Sequence, residues 1–285
     1  MSTYTDLLAT QPQPPDRLYF ATGILLDAQD FQAEQLFHRG RLARTLAYLH
    51  GYGTVAGLRV EWSAAVAPDA NNPDGKEEQL LVQPGLAIDR LGRLIEVPRS
   101  ACIRLDRWYK SQEASDLAAG FHAAPTDGVI VDLFIRFVAC ERGKTPAFAA
   151  GPFDALDAVQ PSRLRDGYEL ELVIRKEAEP KLPLDPWATI DPNAAPEAKI
   201  SALHETIYSA WQEGSDDWDL DGPVPQQEHA LGQDTTALFL ARLILPAAEG
   251  TPPTRTDGVA VTVSDASRRF VYPTSALAKV VGVGE

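Results

Sequence analysis

Residues 129–140 read VIVDLFIRFVAC, and this run decides the fold. It is almost entirely apolar and rich in β-branched and aromatic residues, with only Asp132 and Arg136 set inside it. A run of this composition is typical of a strand that is covered on both faces. We therefore predict a central β-strand here and a sheet built around it.

Outward from this strand, the sequence predicts further strands on both sides. Residues 167–175 alternate apolar and polar side chains, and residues 86–97 favour a hairpin with its turn near Leu91 and Gly92. Other strands are predicted at 55–62, 80–82, 101–105, 235–245, 259–263 and 270–272, and a loop at 141–162. The predicted fold class is α+β and β-rich: a mixed or antiparallel body, sandwich-like or barrel-like, with a long N-terminal helix and a few short helices.

A long helix is predicted from Ala28 to Leu49, about 33 Å in length. Asp27 and Asp30 resemble a capping box at its start, and Gly51 suits its end. Its apolar stripe is predicted to consist of Phe31, Leu42, Leu46 and Leu49. Shorter helices are predicted at 106–120, 198–213 and 275–281.

The sequence predicts three segments: a docking arm over 1–17, a strand plus the long helix over 18–53, and a β-rich body over 54–285. Residues 11–15 favour extended, polyproline-like backbone. The apolar Tyr4, Leu7 and Leu8 precede them, and a tail seldom carries such residues without a surface to cover them. That surface is either a partner protein or the chain's own body.

Three arginines, Arg39, Arg41 and Arg44, lie in the C-terminal half of the long helix, where they suit its dipole. In an otherwise acidic chain they are candidates for contact with an acidic neighbour. The alternative is that they are ordinary solvated arginines.

The net charge of −14 repels phosphate backbones and anionic lipid. Nucleic-acid and membrane-surface roles are therefore not expected. Neither a signal peptide nor a membrane-length apolar run is seen, so we expect cytoplasmic synthesis, with release outside the cell as part of a particle left open. The two cysteines, Cys102 and Cys140, are expected to be free thiols.

Catalytic motifs are not found, and we predict that the protein is not an enzyme. The histidines lack metal-pair spacing, and neither a G-x-S-x-G turn nor a phosphate-binding glycine loop occurs. Scattered carboxylates leave a hydrolase as a minor alternative, which requires two facing acids with raised pKa values in a pocket.

One metal pattern matches the calcium-loop spacing. Asp217, Asp219 and Asp221 alternate before Gly222, and Glu228 follows six residues after the glycine. Pro223 and Pro225 inside the loop favour the other interpretation, an acidic turn. A bound calcium ion would stiffen this loop; no other cofactor is expected.

Two stretches of residues 18–98 resemble a known family. They are Y19-F-x-x-G-x-L-L-x-x-x-D-F-x-x-E-Q35 with its continuation H50-G-Y-G-x-V-x-G-L-x-V60, and V82-x-P-G-L-A-I-D-x-x-G-R93. They resemble uncharacterised proteins encoded beside contractile, phage-tail-like injection systems, and similar motifs occur in phage baseplate and tail-fibre proteins. The resemblance implies a structural subunit at a baseplate, fibre-attachment, or cap and collar position, present in several copies beside other particle subunits.

A second hypothesis is a carbohydrate- or surface-binding module on such a particle. Sugar sites need exposed aromatic platforms, so the exposure of the tryptophans separates the two hypotheses. The tryptophans are Trp62, Trp108, Trp187, Trp211 and Trp218.

Overall fold

The structure is a computed structural model that describes residues 3–4, 6, 8, 17–69, 73–146, 159–184, 190–191, 193–209, 226–256 and 258–281. Its strands are β1 (Thr3–Tyr4), β2 (Gly53–Gly57), β3 (Val60–Ser63), β4 (Gln79–Val82), β5 (Gly85–Ile88), β6 (Leu94–Val97), β7 (Ala101–Arg104), β8 (Phe121–His122), β9 (Gly128–Pro146), β10 (Val159–Ile174), β11 (Leu238–Ala248), β12 (Thr254–Arg255) and β13 (Thr262–Ser264). Its helices are α1 (Ala28–His50), α2 (Leu105–Lys110), α3 (Ala114–Ala119), α4 (Pro196–Ser209) and α5 (Thr274–Val281).

The main sheet is organised around β9, which confirms the predicted central strand. β10 and β11 pair with β9 in antiparallel register, and β1, β8, β12 and β13 extend the sheet. Side chains from β9 and β11 form half of the main buried core, among them Leu133, Ile135 and Leu243. The α+β, β-rich class is confirmed; within the described residues the antiparallel sheets do not close into a barrel.

Two small antiparallel sheets cover the core, in the orders β2-β5-β6 and β3-β4-β7. The hairpin predicted at 86–97 is β5–β6. The single strand predicted at 55–62 is wrong, because the chain leaves one sheet for the other there. Gly57 has φ +64° and Leu58 has φ +55°, a left-handed kink that separates β2 from β3.

The long helix is confirmed as α1. Asp27 accepts hydrogen bonds from the backbone N–H groups of Gln29 and Asp30, and the Asp30 carboxylate accepts the Asp27 N–H, so the predicted capping box is present. The helix predicted at 106–120 is two short helices, α2 and α3, with a turn at Ser111 and Gln112 between them. α4 and α5 match the other predictions within the described residues.

Three further predictions about chain segments are wrong. Residues 270–272 form no strand, because only Phe270 makes an isolated bridge, to Thr54. Residues 18–26 form no strand: they are exposed irregular chain with a turn at Thr22 and Gly23, and no strand of the described part pairs with them. The loop predicted at 141–162 is wrong for its described residues, because β9 continues to Pro146 and β10 begins at Val159. Cross-strand pairing overrides the glycine and proline content there.

The charges inside the central strand are paired. Asp132 is fully buried and accepts hydrogen bonds from Arg175 at 2.6 Å and from Arg242 at 2.7 Å. Arg175 also donates to the Glu228 carbonyl at 2.7 Å, and Arg242 to the Pro180 carbonyl at 2.8 Å. Buried charges require such partners, so this group ties β9, β10 and β11 together.

Cys102 is exposed and Cys140 is half-buried, and both are free thiols as predicted. None of the helices in the described ranges has the length and apolar character that crossing a membrane requires.

Candidate docking surface

α1 lies against the body through a narrow stripe of small and aliphatic residues, Leu36, Gly40 and Ala43. The β5–β6 turn meets this stripe at Gly92, which has φ +85°. A Cβ atom at Gly92 would lie 1.8 Å from the Ala43 carbonyl oxygen. The motif glycine therefore lets the turn approach the helix backbone directly, and this contact positions α1.

A buried charge group locks the same junction. Asp89 is fully buried and accepts hydrogen bonds from the Leu91 and Arg93 N–H groups and from Arg93 Nε at 2.7 Å. Arg93 Nη1 donates to Asp6 at 3.3 Å, and Arg39 of α1 donates to the same carboxylate oxygen at 3.1 Å. Asp6 thus joins the N-terminal segment, α1 and the β5–β6 turn.

Where the structure describes the N-terminal residues, they pack against the chain's own body. Thr3 and Tyr4 pair with β9 at Cys140 and Ala139. Leu8 is buried with Leu36 and Ala43 of α1. Leu8 is therefore not accessible to a partner on the isolated chain, while Leu7 lies outside the described residues. A docking role for Tyr4 and Leu7 stays a prediction.

Three of the four residues of the predicted apolar stripe of α1 face solvent instead of the body, and the fourth, Leu46, is half-buried. At about 100° per residue, Phe31, Leu42 and Leu49 lie within roughly 20° of one another, on the side away from the buried stripe. Leu42 is 59% exposed and Leu49 is 73% exposed. The segment before the helix continues this pattern, and its Leu25 is 96% exposed.

These residues share exposure, apolar character and a place between residues 17 and 50. We call them the exposed strip: Tyr19, Phe20, Ile24, Leu25, Phe31, Leu42 and Leu49. Sequence reasoning placed residues 18–26 in a strand and so missed their exposure. The signal that could have found it is the α1 stripe itself, since Leu36, Gly40 and Ala43 already form a second, complete face at helical spacing.

The three arginines project in different directions. Arg39 bonds Asp6, and Arg41 lies over the Phe37 ring at 5.2 Å. Around the helix, Arg39 and Arg41 lie roughly 160° apart, and Arg41 and Arg44 roughly 60° apart. The three arginines therefore do not form one basic patch. Contact of Arg41 and Arg44 with an acidic neighbour stays a prediction.

Of the candidate calcium ligands, the structure describes Glu228 alone; Asp217, Asp219 and Asp221 lie outside the described residues. Glu228 is 4% exposed, and its Oε2 atom has no hydrogen-bond partner in the described part of the chain. It lines a small cavity with Tyr52 and Arg269. A carboxylate oxygen is a suitable calcium ligand, and calcium binding stays a prediction.

The structure also bears on the alternatives. Trp62 and Trp108 are half-buried and pack against the core, and Trp62 donates to Glu78 at 2.8 Å; the other tryptophans lie outside the described residues. Burial raises the pKa of Glu171, Arg136 lowers it in part, and the nearby carboxylates of Glu169 and Asp234 raise it further. Glu171 lies on an exposed strand face, so it does not provide the pocket that the hydrolase alternative requires.

Neither a protein-family model nor a curated protein matches the chain. Among solved structures, it is similar to a chain of "The baseplate complex from the type VI secretion system", at 14% identity and a TM-score of 0.31. The similarity covers 94% of this chain and 63% of that one, so this chain spans less than two thirds of its length. A similarity of this size carries no functional argument.

Proposed function

We propose that this protein is a structural subunit of a contractile, phage-tail-like injection particle and that it docks onto a neighbouring subunit through the exposed strip. The β-rich body serves as a rigid platform. α1 and the segment before it present apolar side chains that the neighbour covers. Its position in the particle is at the baseplate, at a fibre attachment, or at a cap or collar.

The observation that carries this proposal is the second apolar face of α1. A helix that needed only its own body would bury one stripe and keep the other side polar. Here Leu36, Gly40 and Ala43 already provide the buried stripe, and Phe31, Leu42 and Leu49 add an exposed one. Several exposed apolar residues along one side of a helix are typical of a site of contact with another molecule.

The motif residues shared with the injection-system family support the same proposal. Asp89, Gly92 and Arg93 belong to the motif, and all three hold the turn onto which α1 packs. Their chemistry is structural, since the buried Asp89 carboxylate accepts three hydrogen bonds from this turn. A motif that fixes the position of a helix, rather than a reaction centre, fits a protein that works by presenting that helix.

The proposal is tested by incorporation of the full-length protein into particles. In the variant Leu25→Ser/Leu42→Ser/Leu49→Ser the exposed strip loses three side chains, each worth about 1.5–3 kcal/mol if the neighbour buries it. We expect this variant to fold normally by circular dichroism and to be missing from contractile particles purified from the producing organism.

The matched control is Leu184→Ser/Leu231→Ser/Leu277→Ser, which changes three exposed leucines elsewhere on the surface. It should enter particles as the unaltered protein does. Normal incorporation of the first variant would overturn the role of the exposed strip. Absence of the unaltered protein from every contractile particle of that organism would overturn the proposed function itself.

A further inference from the structure

The β9–β10 ribbon extends beyond the body of the protein. All of the residues 141–146 on β9 and 161–166 on β10, which we call the outer half, are exposed. Their pairing is regular, with Arg163 opposite Arg142 and Pro161 opposite Lys144. Directly opposite residues of an antiparallel pair project from the same face, and that face recurs at every second residue.

This register gathers four cations on one face of the outer half. They are Arg142, Lys144, Arg163 and Arg165. Glu141 and Asp166 fall on the other face, and within the described residues no carboxylate lies in salt-bridge range of the four cations. Arg142 directly opposite Arg163 is an unfavourable cross-strand pair in an isolated chain. The three arginines of this group also line an open pocket with a volume of about 460 Å³.

The same face carries acids nearer the body. Glu169 and Glu171 follow Arg165 at every second residue of β10, and Asp234 lies beside them. Arg136 bonds both Glu169 and Asp234, which leaves this inner group with an excess of negative charge. Glu169 and Glu171 are exposed on this face, whereas Tyr168, Leu170 and Leu172 on the other side of β10 pack against the core.

Cations at the outer end and acids at the inner end make this face self-complementary. Arg165 and Glu169 are four residues apart, about 13 Å along the strand, and Arg163 and Glu171 about 26 Å. When a second copy is turned end to end by a two-fold axis, its cations lie over the acids of the first, and its acids over the cations of the first. Two equivalent contacts then form at once.

We propose that the charged face of the β9–β10 ribbon docks onto the same face of a second copy of this chain, outer half over inner half. The occupant is a second copy because the complementary charges are present on this chain itself. An extended polyanion fits less well, since the net charge of −14 repels it over the rest of the surface. The inference goes beyond the proposed function, and its surface is separate from the exposed strip.

The test is sedimentation velocity of the full-length protein and of two charge-reversed variants. Arg163→Glu/Arg165→Glu makes both ends of β10 acidic on this face, and Glu169→Lys/Glu171→Lys makes both ends of β10 basic there, while Arg142 and Lys144 of β9 are unchanged in both variants. At about 0.1 M salt, where screening limits repulsion between the whole molecules to about 10 Å, we expect the unaltered protein to self-associate. Each variant alone should associate at least about tenfold more weakly, because like charges then oppose each other.

Mixing the two variants is the decisive arm. In one contact the acidic outer end of β10 in one variant meets the basic inner end of β10 in the other, and in the second contact a basic outer end meets an acidic inner end. The mixture should recover association, and about 1 M salt should weaken it. The control Arg59→Glu/Lys76→Glu makes the same change in net charge as Arg163→Glu/Arg165→Glu, at exposed positions next to β3 and β4 on the core side of the main sheet. It should associate as the unaltered protein does.

Several results would overturn the proposal. They are an unaltered protein that stays monomeric, variants that associate as strongly as it does, or a mixture that fails to recover. Binding of a labelled DNA duplex or an acidic peptide by a monomeric protein, lost in Arg163→Glu/Arg165→Glu, would assign the cations to another partner and also overturn it. Loss of self-association in the exposed-strip variant would show that the contact lies on α1 instead.

Discussion

At the scale of single residues, Gly92 decides whether α1 can reach the body. Its φ of +85° is costly for a residue with a side chain, and the space of a Cβ atom is taken by the Ala43 carbonyl. We expect Gly92→Ala to lower the free energy of unfolding by roughly 2–5 kcal/mol, from backbone strain and overpacking together. Urea denaturation of the full chain measures it.

Gly232 provides the matched control. It has φ +79°, and within the described part of the chain no atom lies within 4 Å of the place that a Cβ atom would take there. Gly232→Ala therefore costs only the backbone strain, about 1–2 kcal/mol. Equal losses for the two variants would show that contact between the turn and α1 contributes nothing.

His229 is predicted to make stability depend on pH. Its Nδ1 accepts the Gln226 N–H at 3.1 Å, and its Nε2 lies 3.0 Å from the Ala237 carbonyl oxygen, so the ring fits as a neutral imidazole. Burial lowers the pKa of His229. The unfolded chain takes up a proton near pH 6.5 and the folded chain does so only at lower pH, so the free energy of unfolding falls as the pH drops below about 6.5.

The measurement compares urea denaturation at about pH 7.5 and pH 5.5, above the range where ordinary carboxylates titrate. The free energy of unfolding should fall less between these two pH values in His229→Gln than in the unaltered protein. His38→Gln, at an exposed histidine paired with Glu34, should keep it. The same pH dependence in all three proteins would contradict the assignment to His229.

At the scale of elements, α1 is attached to the body through few groups, and Asp6 joins three of the attached parts. Asp6→Asn removes the charge that Arg39 and Arg93 share, while Asp89 still holds Arg93. We expect a loss of about 1–3 kcal/mol in the free energy of unfolding. Hydrogen exchange should become faster in α1 than in β9 and β11.

The control for this variant is Asp74→Asn, at an exposed carboxylate. A surface change of this kind should stay within about 0.5 kcal/mol of the unaltered protein. If Asp6→Asn leaves exchange in α1 unchanged, the N-terminal segment does not hold the helix.

Long periodic elements could be predicted from the sequence, since local patterns determine them. The central strand, the β5–β6 hairpin and α1 with its Asp27 cap all follow from local composition and spacing. The split between β2 and β3 could not be predicted, because the left-handed Leu58 is a residue that rarely takes this conformation. The buried face of α1 was missed because the body touches it at small residues, Gly40 and Ala43, which give a weaker apolar signal than the large residues on the exposed side.

The candidate site was predicted only in part, because contacts between distant parts of the chain decide which apolar residues stay exposed. Apolar residues near the N-terminus signalled a surface to be covered, and Leu8 turned out to be covered by α1 of the same chain. The exposed residues that remain, such as Leu25 and Leu49, lie further along. Ion pairs such as Asp6 with Arg93 join residues far apart in sequence, and nothing local encodes them.

At the scale of the whole molecule, two surfaces of different chemistry stand apart from an acidic background. The exposed strip offers apolar contact, and the charged face of the β9–β10 ribbon offers electrostatic contact. Apolar burial supplies affinity, whereas charge complementarity supplies orientation and selectivity. A subunit with both could join one kind of neighbour through α1 and a copy of itself through the ribbon.

Hydroxyl-radical footprinting of the protein, free and within purified contractile particles, shows whether a neighbour covers the exposed strip. Leu25, Leu42 and Leu49 should be modified readily in the free protein and several-fold less in the particle, while Leu231 and Leu277 react equally in both. If the three residues of the exposed strip react in the particle as they do in the free protein, no neighbour covers this surface and the proposed docking role is wrong.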